Sequence, residues 1–244
     1  VLGPQRQRTA GRPLLWPAAR LALAAVIAGC VVVTAVLGVL LAGHTQPDRV
    51  DRWADGHLQA AISAHSLIAR SAYLGDPNSV VLISTAAVLA CVLGRRFRAA
   101  LLVIIAFPVA GVLTDHILKP LVGRTDSGYL IYPSGHTTAA ATMAVAAVVV
   151  LTGPGRPPLP AALRWLLSAA LLALIPVVAA GLVVLRYHYF TDTVGGAGVG
   201  ITVVLGTALG LDAAAAWLGA RAAPARGEPA GRDGVSAAPR PPRP

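Results

Sequence analysis

The sequence predicts an all-α integral membrane protein: a bundle of six transmembrane helices with one amphipathic helix on its outer face. Three observations predict it. Hydrophobic residues make up 56% of the 244-residue chain and charged residues only 12%, a balance outside the range of soluble domains. The apolar residues gather in continuous runs without the alternation of a barrel strand, so helices must satisfy the backbone polar groups in lipid. The basic residues cluster in alternate connections between those runs, as the flanks of membrane spans do.

In chain order, residues 1–20 carry Arg6, Arg8, Arg12 and Arg20 and form a cytoplasmic N-terminal tail. The first apolar run, about 21–42, is longer than the 7–15 residues of a signal-peptide core and is read as a retained span. Further runs lie at about 79–94, 99–118, 165–185 and 193–217, with a shorter one at about 136–152; each is within reach of the roughly 17–25 residues that cross a bilayer. Residues 21–217 therefore form one six-span domain. Residues 218–244 are rich in Pro, Gly, Ala and Arg, cannot bury enough apolar surface to order themselves, and read as a disordered cytoplasmic tail.

Residues 47–75 are too polar to span. Val50, Trp53, Ala54, Leu58, Ala61, Ile62, Ile68 and Ala69 recur there at helical spacing, which places a surface helix on the outer face. It is either a lid at a lipid-access rim or a connector that caps the bundle. Cys30 and Cys91 fall inside spans without paired spacing and read as small buried hydrophobes. Gly196-x-x-x-Gly200 and Gly206-x-x-x-Gly210 in the last run suit close helix packing inside the bundle.

Orientation follows from the arginines. The N-terminal tail, Arg95-Arg96-Phe97-Arg98, the Gly153–Arg164 connection and the C-terminal tail are basic. The other connections hold Arg49, Arg52, Arg70, Lys119, Arg124 and Arg186 against Asp48, Asp51, Asp55, Asp76, Asp115, Asp126 and Asp192. Both termini are thus expected in the cytoplasm. The net charge of +10 is a topology signal and a means of contacting anionic lipid, with no nucleic-acid partner implied.

The chemistry-bearing residues lie in two connections on the same side of the membrane, since two spans separate them. His188 and Asp192 are four residues apart and share a helix face if the last span begins there. They are either a nucleophilic histidine oriented by its carboxylate or an interfacial pair that caps a helix. Pro133-Ser134-Gly135-His136 precedes a helical run; Ser134 suits an N-cap, Gly135 lets backbone amides approach an anion, and His136 could donate a proton to a leaving oxygen. An ordinary cap followed by an interfacial histidine is the simpler alternative. Asp115 and Lys119 are also four apart, so the carboxylate could aim the ammonium at this loop. Arg124, in Val122-Gly123-Arg124-Thr125, is either a fork for two phosphate oxygens or a solvated loop residue.

Together these residues resemble the type 2 phosphatidic acid phosphatase (PAP2) family, which is similar to the vanadium haloperoxidases. Lys119 matches the lysine of that family's first motif, Pro133-Ser134-Gly135-His136 matches the second throughout, and His188 and Asp192 match the third. The first motif of the family ends Arg-Pro where this chain has Asp126-Ser127, with Arg124 two residues earlier. The third motif's arginine falls at Leu182, which leaves Arg186 as the available substitute.

The resemblance implies a PAP2/haloperoxidase-like bundle and a two-step, cofactor-free and metal-free phosphoryl transfer. His188 would attack phosphorus, Asp192 would orient it, and His136 would protonate the leaving oxygen. Lys119, Arg124, Ser134, Gly135 and Arg186 would stabilise the equatorial oxygens. The expected function is a lipid phosphatase of the bacterial cell envelope. It would hydrolyse phosphatidic acid, phosphatidylglycerol phosphate or a polyprenyl phosphate or diphosphate at the outer face of the inner (plasma) membrane. The partners expected are that lipid phosphate and the surrounding membrane lipids. The alternatives are a non-enzymatic lipid-phosphate binding or transport protein with a degenerate site, and vanadate-dependent halide oxidation, against which six spans argue.

Overall fold

Six apolar segments fold back and forth in the computed structural model, which describes residues 12–222. A 3₁₀ turn, Pro17–Ala19, leads into α1 (Arg20–Leu41). Then come α2 (Arg49–Ala61), the short α3 (Leu67–Arg70) with its 3₁₀ extension Ser71–Gly75, α4 (Pro77–Leu93) and α5 (Phe97–Val112). Helix α5 widens into a π turn, Leu113–Leu118, and ends in α6 (Lys119–Val122). A two-stranded ladder, β1 (Thr125–Asp126) with β2 (Tyr129–Leu130), precedes α7 (Gly135–Thr152), α8 (Ala161–Val184) and α9 (Phe190–Ala222).

Five helices are long and apolar enough to cross a bilayer. A sixth candidate is the pair Leu67–Gly75 and Pro77–Leu93, bent by 71° where they meet. Asp76 sits at that bend in extended backbone, and Pro77 opens α4, the position in a helix where proline lacks nothing. The lipid-facing surfaces expose Leu, Val and Ile, as on Val39, Leu40, Leu82, Leu93 and Leu166. The interior is built mainly from small residues, among them Ala106, Ala110, Ala141, Ala144 and Ala208.

Helix α9 is the centre of the bundle and packs on α7, α1, α5, α2 and α8. Its glycines make the α7 contact possible. A Cβ on Gly196 would stand 2.3 Å from the Ser134 carbonyl oxygen, and one on Gly200 would stand 2.6 Å from that of Thr138. This is the internal packing expected of Gly196-x-x-x-Gly200. Gly206 and Gly210 have nothing close enough to need them. Thr138 closes the contact by donating to the Gly196 carbonyl at 3.1 Å.

Three features differ from the sequence reading. In α2 the buried positions are Asp51, Ala54 and Asp55, while Val50 and Trp53 are exposed. The acidic face turns inward because it meets the N-terminus of α9, a partner that periodicity cannot show. Helix α8 stops at Val184, close to the expected 185, but Arg186 adopts left-handed backbone with φ 59° and so lies off the helix. Helix α9 runs on to Ala222, past the boundary expected at residue 217. The rest of the C-terminal tail, and residues 1–11 of the N-terminal tail, lie outside the described residues. Residues from Leu14 on pack against the bundle: the Leu14 and Leu15 amides donate to the buried Asp212 carboxylate at 2.8 and 3.0 Å.

Candidate active site

Helix α7 begins where its sequence said it would. Ser134 has extended backbone and its hydroxyl accepts from the Thr137 amide at 3.3 Å, satisfying one of the orphan amides of the first turn. Ser134 is fully buried, and its own amide donates to the Asp192 carbonyl at 2.9 Å. It therefore joins the start of α7 to the start of α9 and is not placed to touch a phosphate. The next two residues, Gly135 and His136, occupy the first turn of α7 beside the bend at Gly75 and Asp76. A Cβ on Gly75 would meet His136 backbone and Cβ at 2.7–2.8 Å, so only glycine lets the broken span approach this closely.

His136 gains a partner that the sequence reading did not name: its Nε2 lies 2.9 Å from Asp76 Oδ1. An Asp-Pro pair opening a span on the same side of the membrane was the available signal for this carboxylate. The His136 and His188 rings face each other with centroids 6.2 Å apart, edge to face. Two histidines 52 positions apart in sequence thus converge, as the parity of the spans required.

Lys119 lies beside the same turn. Its Nζ pairs with Asp115 Oδ1 at 2.7 Å and would lie 3.8 Å from a Cβ on Gly135. Both residues depend on the widened turn 113–118. Pro120 cannot donate to the carbonyl four residues back and its ring crowds it, so the helix opens locally. Between α4, the end of α5 and α7 runs a cavity of about 290 Å³. Lys119, Asp115, Gly135 and His136 stand at its polar end, and Phe107, Ala110 and Ala139 line it deeper in the bundle.

Behind the histidines lies an ion cluster that changes the roles expected of Arg124 and Asp192. Arg124 is fully buried and donates to Asp192 Oδ1 at 2.6 Å, to Thr191 Oγ1 at 2.7 Å and to Asp51 Oδ2 at 2.5 Å. Tyr189 covers the guanidinium, with its ring centroid 4.9 Å away. Burial works against the arginine's charge, but Asp192 and Asp51 hold its pKa above the usual value. Arg124 is a counter-ion for two carboxylates rather than an open fork for phosphate.

The carboxylates in turn cap α9. Asp192 Oδ2 accepts from the Tyr189 amide at 3.0 Å, Asp55 Oδ1 from Phe190 at 3.0 Å, and Asp51 Oδ1 from Thr191 at 2.9 Å. Three successive orphan amides each receive a carboxylate, and the helix dipole favours the arrangement. Burial would raise the Asp51 pKa, yet hydrogen bonds from Thr191 and Arg124 hold it below the ordinary range. Asp55 pairs with no cation of its own among the described residues. Burial first, then Asp51 and Asp192, push it up to about 6.

The His188–Asp192 contact is looser than the sequence spacing suggested. Nδ1 of His188 lies 3.7 Å from Asp192 Oδ2, too far for a hydrogen bond, and has no other partner among the described residues. His188 precedes α9 instead of riding on it, so the two side chains do not share a helix face. The ring is nonetheless mostly buried over the carboxylate, with 9% of the side chain exposed.

Two further differences concern arginine. Arg186 is exposed, beyond the end of α8, and does not share a helix face with residue 182. Leu182 is fully buried against Ala72, Ala140 and Val178. At residues 126–127 the chain makes a tight hairpin, in which Ser127 has φ 48° and Gly128 φ 85°. Proline, fixed near −65°, cannot occupy the Ser127 position.

The PAP2 superfamily model matches residues 18–214, which include every site residue named above. Among solved structures, the fold is similar to a transmembrane PAP2-type phosphatidylglycerolphosphate phosphatase from Bacillus subtilis. The TM-score is 0.61 at 17% identity, covering 77% of this chain and 96% of that one. No curated protein sequence matches the chain. With a six-segment membrane fold, the Pro-Ser-Gly-His turn and the two facing histidines in place, this chain belongs to the PAP2 superfamily.

Proposed function

We propose that the protein is a lipid phosphatase that acts through a phosphohistidine. The observation that carries this reading is the convergence of His136 and His188 beside a cavity that starts at Lys119 and Gly135 and continues between apolar helices. A phosphate at the polar end would leave an acyl or prenyl chain to follow the cavity toward lipid.

In the proposed reaction, Nε2 of His188 attacks phosphorus in line, forming an N–P bond as the P–O bond to the lipid breaks. His136, held at Nε2 by Asp76, passes a proton from its other nitrogen to the departing oxygen. Water then hydrolyses the phosphohistidine. Lys119 and the amides of the α7 first turn meet the charge on the equatorial oxygens. Asp192 supports His188 from behind, anchored by Arg124.

The proposal is metal-independent because the carboxylates around the histidines are already engaged: Asp192 by Arg124 and the Tyr189 amide, Asp115 by Lys119, Asp76 by His136. The charge distribution supports cytoplasmic termini and an extracytoplasmic site in the inner membrane. The similarity to a phosphatidylglycerolphosphate phosphatase makes phosphatidylglycerol phosphate the first substrate to try, ahead of phosphatidic acid and polyprenyl phosphates or diphosphates.

One observation favours a second reading, a lipid-phosphate binding protein with a degenerate site. With Arg124 committed and Arg186 exposed, Lys119 is the one expected cation left at the phosphate position. Phosphate release from purified protein against that lipid panel separates the two. Turnover that vanadate inhibits, EDTA spares and His188→Ala abolishes supports the phosphatase. Binding of the same lipids without any release supports the second reading.

A further inference from the structure

We propose that the other end of the bundle holds a second, non-catalytic site that binds the headgroup of an anionic phospholipid. It is a cavity of about 610 Å³ formed where α4 ends and α5 begins, beneath the α7–α8 connection. Arg12, Arg95, Arg96, Arg98 and Arg156 line it, and among the described residues no carboxylate does. They come from the N-terminal segment, the α4–α5 turn, the first turn of α5 and the α7–α8 connection, so the fold gathers them from four places.

The five arginines divide into two groups. Arg96 and Arg98 build the walls. Arg96 donates from Nε to the Gly155 carbonyl at 2.9 Å and from its terminal nitrogen to the Val150 carbonyl at 2.9 Å. Arg98 donates to the Arg12 carbonyl at 2.8 Å, to the Leu211 carbonyl at 2.9 Å and to Asp212 at 2.5 Å. Asp212 is the only acidic residue at this end among the described residues. It is consumed by Arg98 and by the Leu14 and Leu15 amides.

Arg12, Arg95 and Arg156 form no side-chain hydrogen bond or ion pair among the described residues. Arg156 lies over the Trp16 ring, 5.5 Å from its centroid. Arg95 stands at φ 55° in the left-handed stop that ends α4, with its amide bonded to the Val92 carbonyl. A positive flank asks only that arginines lie near the spans. It does not ask that they line one concavity with prearranged walls.

The ligand follows from the lining. Unpaired guanidinium forks match phosphate oxygens two at a time. Ala90, Val149 and Val150 continue the cavity as an apolar surface toward the membrane interior, where a free phosphate ion would gain nothing and an acyl chain would. The position at the ends of the spans, with Trp16 beside Arg156, is that of a lipid headgroup layer.

The test uses the full chain in phosphatidylcholine nanodiscs containing phosphatidylglycerol, which carries no phosphate monoester to hydrolyse. Lipid retained on the protein is read by native mass spectrometry. The parent is expected to retain phosphatidylglycerol over phosphatidylcholine. Arg12→Gln/Arg95→Gln/Arg156→Gln should lose about tenfold or more of that retention, the scale of even one charge-assisted contact.

Removing three flanking charges could disturb insertion, so the matching triple lysine variant is measured beside it. It keeps the charges, loses the forks and should fall between the other two. Because His188→Ala should retain the lipid as the parent does, the result does not depend on catalysis at the other end. Equal retention in the parent and both arginine variants would overturn the site. Displacement of the lipid by inorganic phosphate alone would show an anion pocket and overturn the lipid assignment.

Discussion

The Arg124 guanidinium donates to the Asp192 carboxylate at 2.6 Å with both side chains fully buried, and Asp51 holds the other end of the same guanidinium. This places Arg124 behind the histidines as the group that fixes Asp192. Two buried carboxylates share one cation, so removing it strands both.

The first prediction follows directly. Arg124→Met should destabilise the protein by about 3–5 kcal/mol, the cost of leaving buried charge unpaired. Arg124→Lys keeps a charge but not the fork and should fall between. Because Arg124 does not face the phosphate position, the surviving lysine variant should lose kcat with little change in KM. Thermal melts and steady-state kinetics together decide it. An unchanged Tm with a raised KM would return Arg124 to the phosphate.

The His136–Asp76 bond supplies the second. His136→Ala should slow turnover by about 10²–10⁴, the scale of a lost general acid. Asp76→Asn keeps the helix start but weakens a charge-assisted hydrogen bond, at about 1.5–3 kcal/mol or roughly 10–100-fold in kcat. Both losses should shrink on substrates with better leaving groups. A leaving-group dependence identical to that of the parent would sink the proton-transfer role.

Asp55 gives a pH dependence. Folding raises its pKa from the ordinary 3.8 to about 6. The folded state therefore binds this proton more tightly than the unfolded chain. The stability so contributed is full below about pH 4 and is lost as the pH rises through about 6. Near pH 7.5 the charge is a burden, and Asp55→Asn, which can still accept from the Phe190 amide, should raise the Tm. The gain is bounded at about 3 kcal/mol and should vanish near pH 4. A lower Tm for the variant at neutral pH would mean that the charge itself supports the start of α9.

How much of this was legible in the sequence depends on the range of the interaction. The Ser134 cap, the Asp115–Lys119 pair and the Gly196/Gly200 packing are local or periodic, and the residues alone point to them. Arg124 with Asp51 and with Asp192 joins positions 73 and 68 apart, and no spacing rule reaches across that distance. In α2 the apolar stripe suggested a face to bury, yet the start of α9 offered unpaired amides that carboxylates satisfy better than Val50 or Trp53 could. The end of α8 was legible to within a residue from where the apolar run stops, but the left-handed backbone at Arg186 was not, because Leu185-Arg186 contains neither the glycine nor the proline that usually marks such a stop.

That helix end decides the fate of Arg186. Exposed and outside the helix, it should be dispensable: Arg186→Gly should leave kinetics unchanged and shift stability by no more than about 1 kcal/mol, since relieved strain and added chain entropy oppose each other. Leu182→Arg should not restore a phosphate contact. It would bury an unpaired charge against Ala72, Ala140 and Val178, the kind of change that costs upwards of about 3 kcal/mol. A slowed Arg186→Gly enzyme with normal melting would bring Arg186 back to the site.

The last prediction concerns which face of the membrane carries the site. The ends of the spans divide the described residues cleanly. Asp76, Lys119, His136, His188 and Asp192 lie at one end, while Arg12, Arg95, Arg96, Arg98 and Arg156 lie at the other. The positive-inside rule predicts that the basic end faces the cytoplasm, which would turn the histidines outward. Ala64 and Pro158 are exposed loop positions at the two ends. In a background lacking Cys30 and Cys91, a membrane-impermeant thiol reagent added to whole cells should label Ala64→Cys and spare Pro158→Cys until the membrane is opened. Labelling of Pro158→Cys alone would invert the protein and place phosphate release in the cytoplasm. Since the ends are joined by continuous helices, one such pair of probes fixes the orientation of both candidate sites.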